Sequence, residues 1–69
     1  MKLRVLKETM SGGDVTSLQT LLNWKAGQGL LVDGKFGGQT KAAVERVQKF
    51  FGLKADGVVG AKTWPLLFL

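Results

Sequence analysis

The sequence predicts a compact all-α domain of three short helices, joined by turns that are built on two Asp-Gly pairs. With 69 residues, the chain is too short to divide its apolar side chains between two cores. Two runs of apolar residues recur at spacings of three and four, which is the period of a helix with one buried face. The pattern of residues 33–40 returns at residues 56–63, so one turn unit is used twice. We expect a single domain over residues 1–69, with its core at about residues 6–67.

The first part of the chain should be extended and then helical. Residues 2–7 partly alternate between apolar and basic side chains, which favours an extended segment. A first helix is predicted from about Asp14 to Ala26, with Ser11 and Asp14 as candidate N-caps. Its buried stripe is expected to consist of Val15, Leu18, Leu22 and Ala26. Gly27 then lies in the position of a C-terminal cap.

A second helix is predicted after Gly37, and Gly52 should end it. Leu53 is placed to fold back onto the last turn. The expected apolar face contains Thr40, Ala43, Val44, Val47, Phe50 and Phe51. By this periodicity both Phe50 and Phe51 are predicted to lie in the core.

The last apolar segment, residues 64–69, is predicted to be a short third helix. Pro65 restricts it, because a proline deep in a helix removes a hydrogen bond and clashes with the carbonyl four residues earlier. The helix must therefore be short or begin close to Pro65. Trp64 is expected in the core, where aromatic side chains contribute large buried areas.

The two Asp-Gly pairs are predicted to be structural turns. The carboxylates of Asp33 and Asp56 should bind nearby backbone N–H groups, and the glycine that follows each accepts a positive φ. A calcium loop would need several more oxygen-bearing side chains than these segments offer. Gln19 and Gln48 occupy equivalent helix positions close to the buried stripe, so we expect them to bind neighbouring backbone.

Composition excludes several classes of function. The chain contains no Cys and no His, which removes disulfides, thiolate nucleophiles, His acid–base chemistry and nearly all zinc or haem sites. We therefore expect no catalytic residue, no metal and no cofactor. Ten basic against five acidic residues give a formal charge of +5, which favours an anionic partner. No apolar run is long enough for membrane insertion, and the first residues lack the pattern of a signal peptide.

Three ordered blocks carry a resemblance to a known family. They are Val-x-x-Leu-Gln-x-x-Leu at residues 15–22, Val-Asp-Gly-x-Phe-Gly-x-x-Thr-x-x-Ala-Val at residues 32–44, and Gly-Leu-x-x-Asp-Gly-Val-Val-Gly-x-x-Thr-Trp at residues 52–64. Together they resemble the peptidoglycan-binding domain of bacterial and phage cell-wall hydrolases. The resemblance implies a three-helix fold that binds peptidoglycan, without catalysis, and tethers a hydrolase to the wall. It also implies a monomeric, cell-wall-associated module that acts outside the cytoplasm.

Six residues are candidates for contact with such a ligand. Trp24 lies opposite the buried stripe of the first helix, so it should be at least partly exposed, either as a platform for a sugar ring or as a cover over the chain's own loop. Gln28, Lys35, Gln39 and Lys62 lie near the two turns and the helix openings after them, where free N–H groups favour carboxylates. Phe36 completes the set, although its place in the turn favours the interior.

Two other functions remain open from the sequence. A small basic helical domain could bind nucleic acid, but no helix presents a row of Lys and Arg, and a titration with duplex DNA at rising salt would test this. An enzyme would need a carboxylate pair such as Glu8 with Glu45 at about 5–10 Å for glycosidic chemistry, and their spacing does not suggest one. Release of reducing ends or free amines from purified wall would reveal such an activity.

Overall fold

The computed structural model describes residues 4–68, and all regular secondary structure within that range is helical. Helix α1 is Gly13–Ala26, helix α2 is Gly38–Phe50, and a 3-10 helix is Trp64–Phe68. The all-α class is confirmed, but the prediction of three helices is wrong, because the chain forms two α-helices and a short 3-10 helix. Pro65 has no N–H to donate, and the segment is only five residues long, so it forms the tighter 3-10 pattern, with Leu66 N–H donating to Thr63 O.

Helix α1 ends as predicted but begins differently. Gly27 has the left-handed conformation of a C-cap, and its N–H donates to Asn23 O. At the other end Gly12 is the N-cap, without a side-chain capping bond, so neither Ser11 nor Asp14 is the cap. The carboxylate of Asp14 is instead held by the guanidinium of Arg4, which ties the segment before the helix to its first turn.

Helix α2 stops where the sequence indicates. Gly52 has φ 75°, and the chain reverses there, so that Leu53 N–H donates to Gln48 O at 2.8 Å. Gly52 N–H donates to Lys49 O in the same turn. These bonds satisfy carbonyl groups that the end of a helix otherwise leaves without a donor.

The core gathers apolar side chains from both helices, the turns and the two ends of the described chain. Its buried members are Leu6, Val15, Leu18, Leu22, Phe36, Ala43, Val44, Val47, Val59, Trp64 and Leu67. The burial of Trp64 confirms its predicted place. The prediction for Phe50 and Phe51 is wrong, because they are 83% and 45% exposed. The last turns of α1 and α2 and the 3-10 helix surround a groove at this end and leave it open.

The prediction that the first segment is extended is confirmed for its described residues, 4–7, which lie outside the helices and contain a β-bridge residue. Leu6 forms an antiparallel bridge with Val59, in which the two distances between backbone N and O atoms are 3.0 and 2.8 Å. In addition, Trp64 Nε1 donates to Arg4 O at 2.9 Å. Residues 2 and 3 of the predicted segment lie outside the described residues. Over positions 4–68, none of the helices is long and apolar enough to cross a membrane.

Candidate functional site

A buried glutamine holds the first Asp-Gly turn against α1. The amide nitrogen of Gln19 lies 3.0 Å from Asp33 Oδ1, 2.9 Å from Lys35 O and 3.1 Å from Thr40 Oγ1. The amide oxygen accepts hydrogen bonds from the N–H groups of Asp33 and Gly34. One side chain therefore fixes the turn and the start of α2, and the predicted structural role of Gln19 is confirmed.

The second turn repeats this arrangement nearly atom for atom. The amide nitrogen of Gln48 lies 3.0 Å from Asp56 Oδ1, 2.9 Å from Val58 O and 3.1 Å from Thr63 Oγ1. Its oxygen accepts from Gly57 N–H at 3.0 Å. The repeat seen in the sequence is thus a repeat of one hydrogen-bond network, and the structural role of Gln48 is confirmed.

The two turn aspartates are stabilised in their ionised form. The backbone N–H of Lys35, followed by the Gln19 amide, donates to Asp33 and lowers its pKa below the usual value. The N–H of Val58 and the Gln48 amide lower the pKa of Asp56 in the same way. Both carboxylates act within their own turns, as predicted, because a donated N–H favours the charged form.

A groove of about 480 Å³ opens between the last turns of the two α-helices and the 3-10 helix. We call it the aromatic groove. It is lined by Lys25, Ala26, Gln28, Arg46, Val47, Phe50, Phe51, Leu66 and Leu67. The rings of Phe50 and Phe51 meet edge to face, with centroids 5.2 Å apart and planes at 88°. The groove therefore presents aromatic surface to solvent in a domain that has little apolar surface to spare.

Polar and basic groups border the aromatic rings. Arg46 Nη1 donates to Gln28 Oε1 at 2.9 Å, and Gln28 Nε2 donates to Ala26 O at 3.1 Å, so the Gln28 amide is held in one orientation. The Lys25 ammonium lies 4.8 Å from the centroid of the Trp24 ring. Trp24 itself is 76% exposed, which confirms its predicted exposure, and it adjoins the groove through Lys25.

Two further cavities lie at the Asp-Gly turns. The first turn pocket, of about 210 Å³, is lined by residues between Leu30 and Thr40, and these include Lys35 and Gln39. The second turn pocket, of about 500 Å³, is lined mainly by residues 52–63, and Lys62 is one of them. The basic and amide residues predicted from the sequence are therefore divided among three cavities.

Phe36 is a core residue, and its burial argues against the ligand contact predicted for it. Its side chain is only 1% exposed, because the turn directs it into the interior, so it offers no ring face to a sugar. Sequence reasoning did not identify Arg46, Phe50 and Phe51 as residues that line a groove. The available signal was a pair of consecutive aromatic residues just before the glycine that ends α2, because consecutive side chains of a helix do not lie on the same face.

The described residues hold no group of three or more acidic, His or Cys side chains that could bind a metal ion. Within residues 4–68, no acidic side chain lines the aromatic groove. Its chemistry is thus that of an aromatic surface beside cationic and amide donors. Such a surface suits the apolar face of a sugar ring together with the carboxylate, hydroxyl or acylamino groups around it.

Comparisons with known proteins identify relatives of the whole domain. A family model described as a putative peptidoglycan binding domain matches residues 11–67. The chain is 43% identical over 65 residues to the zinc D-Ala-D-Ala carboxypeptidase of Streptomyces albus G, covering 91% of this chain and 26% of that protein. It is 41% identical over 64 residues to a spore cortex-lytic enzyme of Bacillus cereus, covering 93% of this chain and 25% of that protein.

A solved structure gives the same result for the fold. The crystal structure of the SleB N-terminal domain matches with a TM-score of 0.90 and 38% sequence identity, covering 99% of this chain and 93% of that one. The chain spans about a quarter of the length of the two enzymes above. It corresponds to the binding part of such proteins, and their catalytic domains lie elsewhere.

Proposed function

The chain belongs to the family of peptidoglycan-binding domains, and from that premise we propose that the aromatic groove is the surface that contacts the wall polymer. Peptidoglycan is the ligand of this family. The observation that supports the groove as the contact is Phe50, a large aromatic side chain that is 83% exposed. A side chain of this size contributes little to folding when it stays in water, but it contributes strongly to binding when a ligand covers it.

The groove offers complementary chemistry to both parts of the polymer. The faces of Phe50 and Phe51 suit the apolar face of a sugar ring. Arg46 retains further N–H donors beside its bond to Gln28, and a guanidinium binds carboxylate groups in a two-pronged geometry. A ligand that places a sugar on the rings and an acidic or amide group at Arg46 would use the whole groove.

Binding of this kind serves attachment. A domain that holds a repeating polymer weakly raises the local concentration of whatever is linked to it, by an amount that depends on the linker. We infer that the domain acts as a monomer outside the cytoplasm and keeps a cell-wall hydrolase close to its substrate. The names of the relatives support this, since they describe a carboxypeptidase and a cortex-lytic enzyme.

Sedimentation with purified insoluble wall tests the groove. Phe50→Ala should weaken the binding free energy by about 1.5–3 kcal/mol, the value for burying one large apolar side chain, while thermal unfolding stays unchanged because the ring is exposed. Phe68→Ala is the matched control, since Phe68 is also an exposed phenylalanine but lies outside the groove. Equal binding by the wild type and Phe50→Ala would contradict the assignment.

Trp24 stays a predicted contact and belongs in the same assay. Its exposed ring adjoins the groove through Lys25, so Trp24→Ala should weaken sedimentation while the fold remains cooperative. Undiminished binding would limit the contact surface to the groove itself. A loss as large as that of Phe50→Ala would extend the surface across the last turn of α1.

A further inference from the structure

The two turn pockets are copies of each other. Residue 53 is 23 positions after residue 30, and residue 63 is 23 positions after residue 40. Each of the eight residues that line the first turn pocket has its counterpart, at this offset, in the lining of the second. The internal repeat has therefore produced two cavities with one backbone plan, neither of which shares a lining residue with the aromatic groove.

The same hydrogen-bond network lies beside each pocket, whereas the exposed rim differs. In each copy the amide nitrogen of a buried Gln lies 3.0 Å from an Asp Oδ1, 2.9 Å from a backbone carbonyl oxygen and 3.1 Å from a Thr Oγ1. The main differences at the rim are Leu31 against Lys54, Lys35 against Val58, and Gln39 against Lys62. These are the positions that a ligand would touch, so the copies differ in what they can bind.

Charge distinguishes the two rims. The first turn pocket has one lysine and one aspartate in its lining, and their formal charges cancel. The second has Lys54 and Lys62 with a single acidic residue, Asp56, whose Oδ1 is already engaged by Gln48 and by Val58 N–H. At about 500 Å³ against about 210 Å³, the basic pocket is also the larger one. It is suited to an anionic group that arrives from solvent.

We propose that the second turn pocket is a separate binding site for a carboxylate of the peptide part of peptidoglycan, held between Lys54 and Lys62. This inference takes its ligand from the proposed function, but it does not depend on the aromatic groove. Phe51 lines the groove and its neighbour Gly52 lines the pocket, so the two sites lie on either side of the end of α2. One polymer strand reaching both would bind more tightly than either site alone allows.

A nitrogen-15 NMR titration of the domain tests this site. The probe is a disaccharide with a stem peptide that ends in a free carboxylate, compared with the same molecule ending in an amide. The acid should cause saturable shifts at the amides of Gly60 and Lys62, and the amide form should cause much smaller ones. Lys62→Gln should weaken the pocket response about two- to fivefold, the range for one exposed ion pair.

Lys49→Gln is the matched control, because Lys49 is an exposed lysine on α2 that lines neither the groove nor the pocket. It should leave the pocket response unchanged. The site is refuted if Gly60 and Lys62 do not shift, if the acid and amide forms bind equally, or if both lysine variants weaken binding alike. The Phe51 amide reports on the groove in the same spectra. If the Gly60 amide shifts and the Phe51 amide does not, only the proposal for the aromatic groove is contradicted.

Discussion

Two buried glutamines connect the helices of this domain to its turns. Gln19 and Gln48 are almost fully buried, and each uses both ends of its amide, which donates and accepts in the same plane. A buried polar group without a partner is costly, so a fully satisfied amide fixes one geometry and penalises others. The amide itself does not titrate, so the turn aspartate that it binds is the group in this network that responds to pH.

Gln48→Leu should lower the free energy of unfolding by about 2–3 kcal/mol, since the variant leaves Gly57 N–H and Thr63 Oγ1 without their buried partner. Urea denaturation measures this directly. The control is Gln39→Leu, at an exposed glutamine, which should change stability by less than about 0.5 kcal/mol. Similar stability of the two variants would show that the Gln48 network contributes little.

At the scale of elements, the same turn unit follows both α1 and α2, but the connections that lead to it differ in length. Gln19 and Asp33 are separated by 14 positions, whereas Gln48 and Asp56 are separated by 8. The longer connection after α1 is closed by Asn23, whose Oδ1 accepts from Leu30 N–H while its Nδ2 donates to Leu30 O. The unit thus keeps its geometry because side chains, and not linker length, position it.

Glycine after each turn aspartate is part of that geometry. Gly57 has φ 73°, and a Cβ at this position would lie 2.7 Å from Cγ of Lys41. Gly57→Ala should therefore reduce stability by roughly 1–2 kcal/mol, the cost of a left-handed side-chain-bearing residue. In a domain of this size the midpoint of thermal unfolding should fall by about 4–8 °C for each kcal/mol.

Gly60→Ala is the matched control for Gly57→Ala. A Cβ at Gly60 would meet no atom within 4 Å, and its φ is not in the left-handed region. Its thermal midpoint should stay close to that of the wild type. If Gly57→Ala is equally harmless, then the turn relaxes to another conformation and is not fixed by its hydrogen bonds.

At the scale of the whole molecule, three carboxylates hold separate segments together. Asp14 binds Arg4 and so joins the first described segment to α1, while Asp33 and Asp56 close the two turns. Each has a lowered pKa: the Arg4 guanidinium is the main cause for Asp14, and backbone N–H donors are the main cause for the other two. Protonation would weaken all three connections and raise an already positive net charge.

Stability should therefore decrease in acid. A depressed pKa in the folded state contributes stability that is present above the unfolded value, about 3.9 for Asp, and is lost as the pH falls through the lower folded value. Thermal unfolding at pH 6 and pH 2 should show a higher midpoint at pH 6. The Asp33→Asn, Asp56→Asn double variant keeps an acceptor oxygen without the charge, so it should lose less between these pH values. An equal loss would assign the acid sensitivity to groups outside the turns.

Much of this domain could be predicted from its sequence, because the informative signals are local. Helical periodicity identified both α-helices, and turn chemistry gave the roles of Asp33 and Asp56. The position of Gln48 beside the buried stripe indicated its backbone bonds, and the phase of Trp24 indicated its exposure. Each of these depends on the residue and its near neighbours in the chain.

Other features depended on what lies opposite a residue in space. Periodicity indicates which face of α2 turns inward, but not whether another element covers Phe50 and Phe51, and at this end none fills the groove. For the same reason the sequence did not show that Lys35 and Gln39 share one cavity while Lys62 borders another. The sequence alone thus determined the two α-helices and the two Asp-Gly turns, because their signals come from residues close together in the chain. The tertiary structure decided which side chains meet at a surface, because that depends on the packing of distant segments.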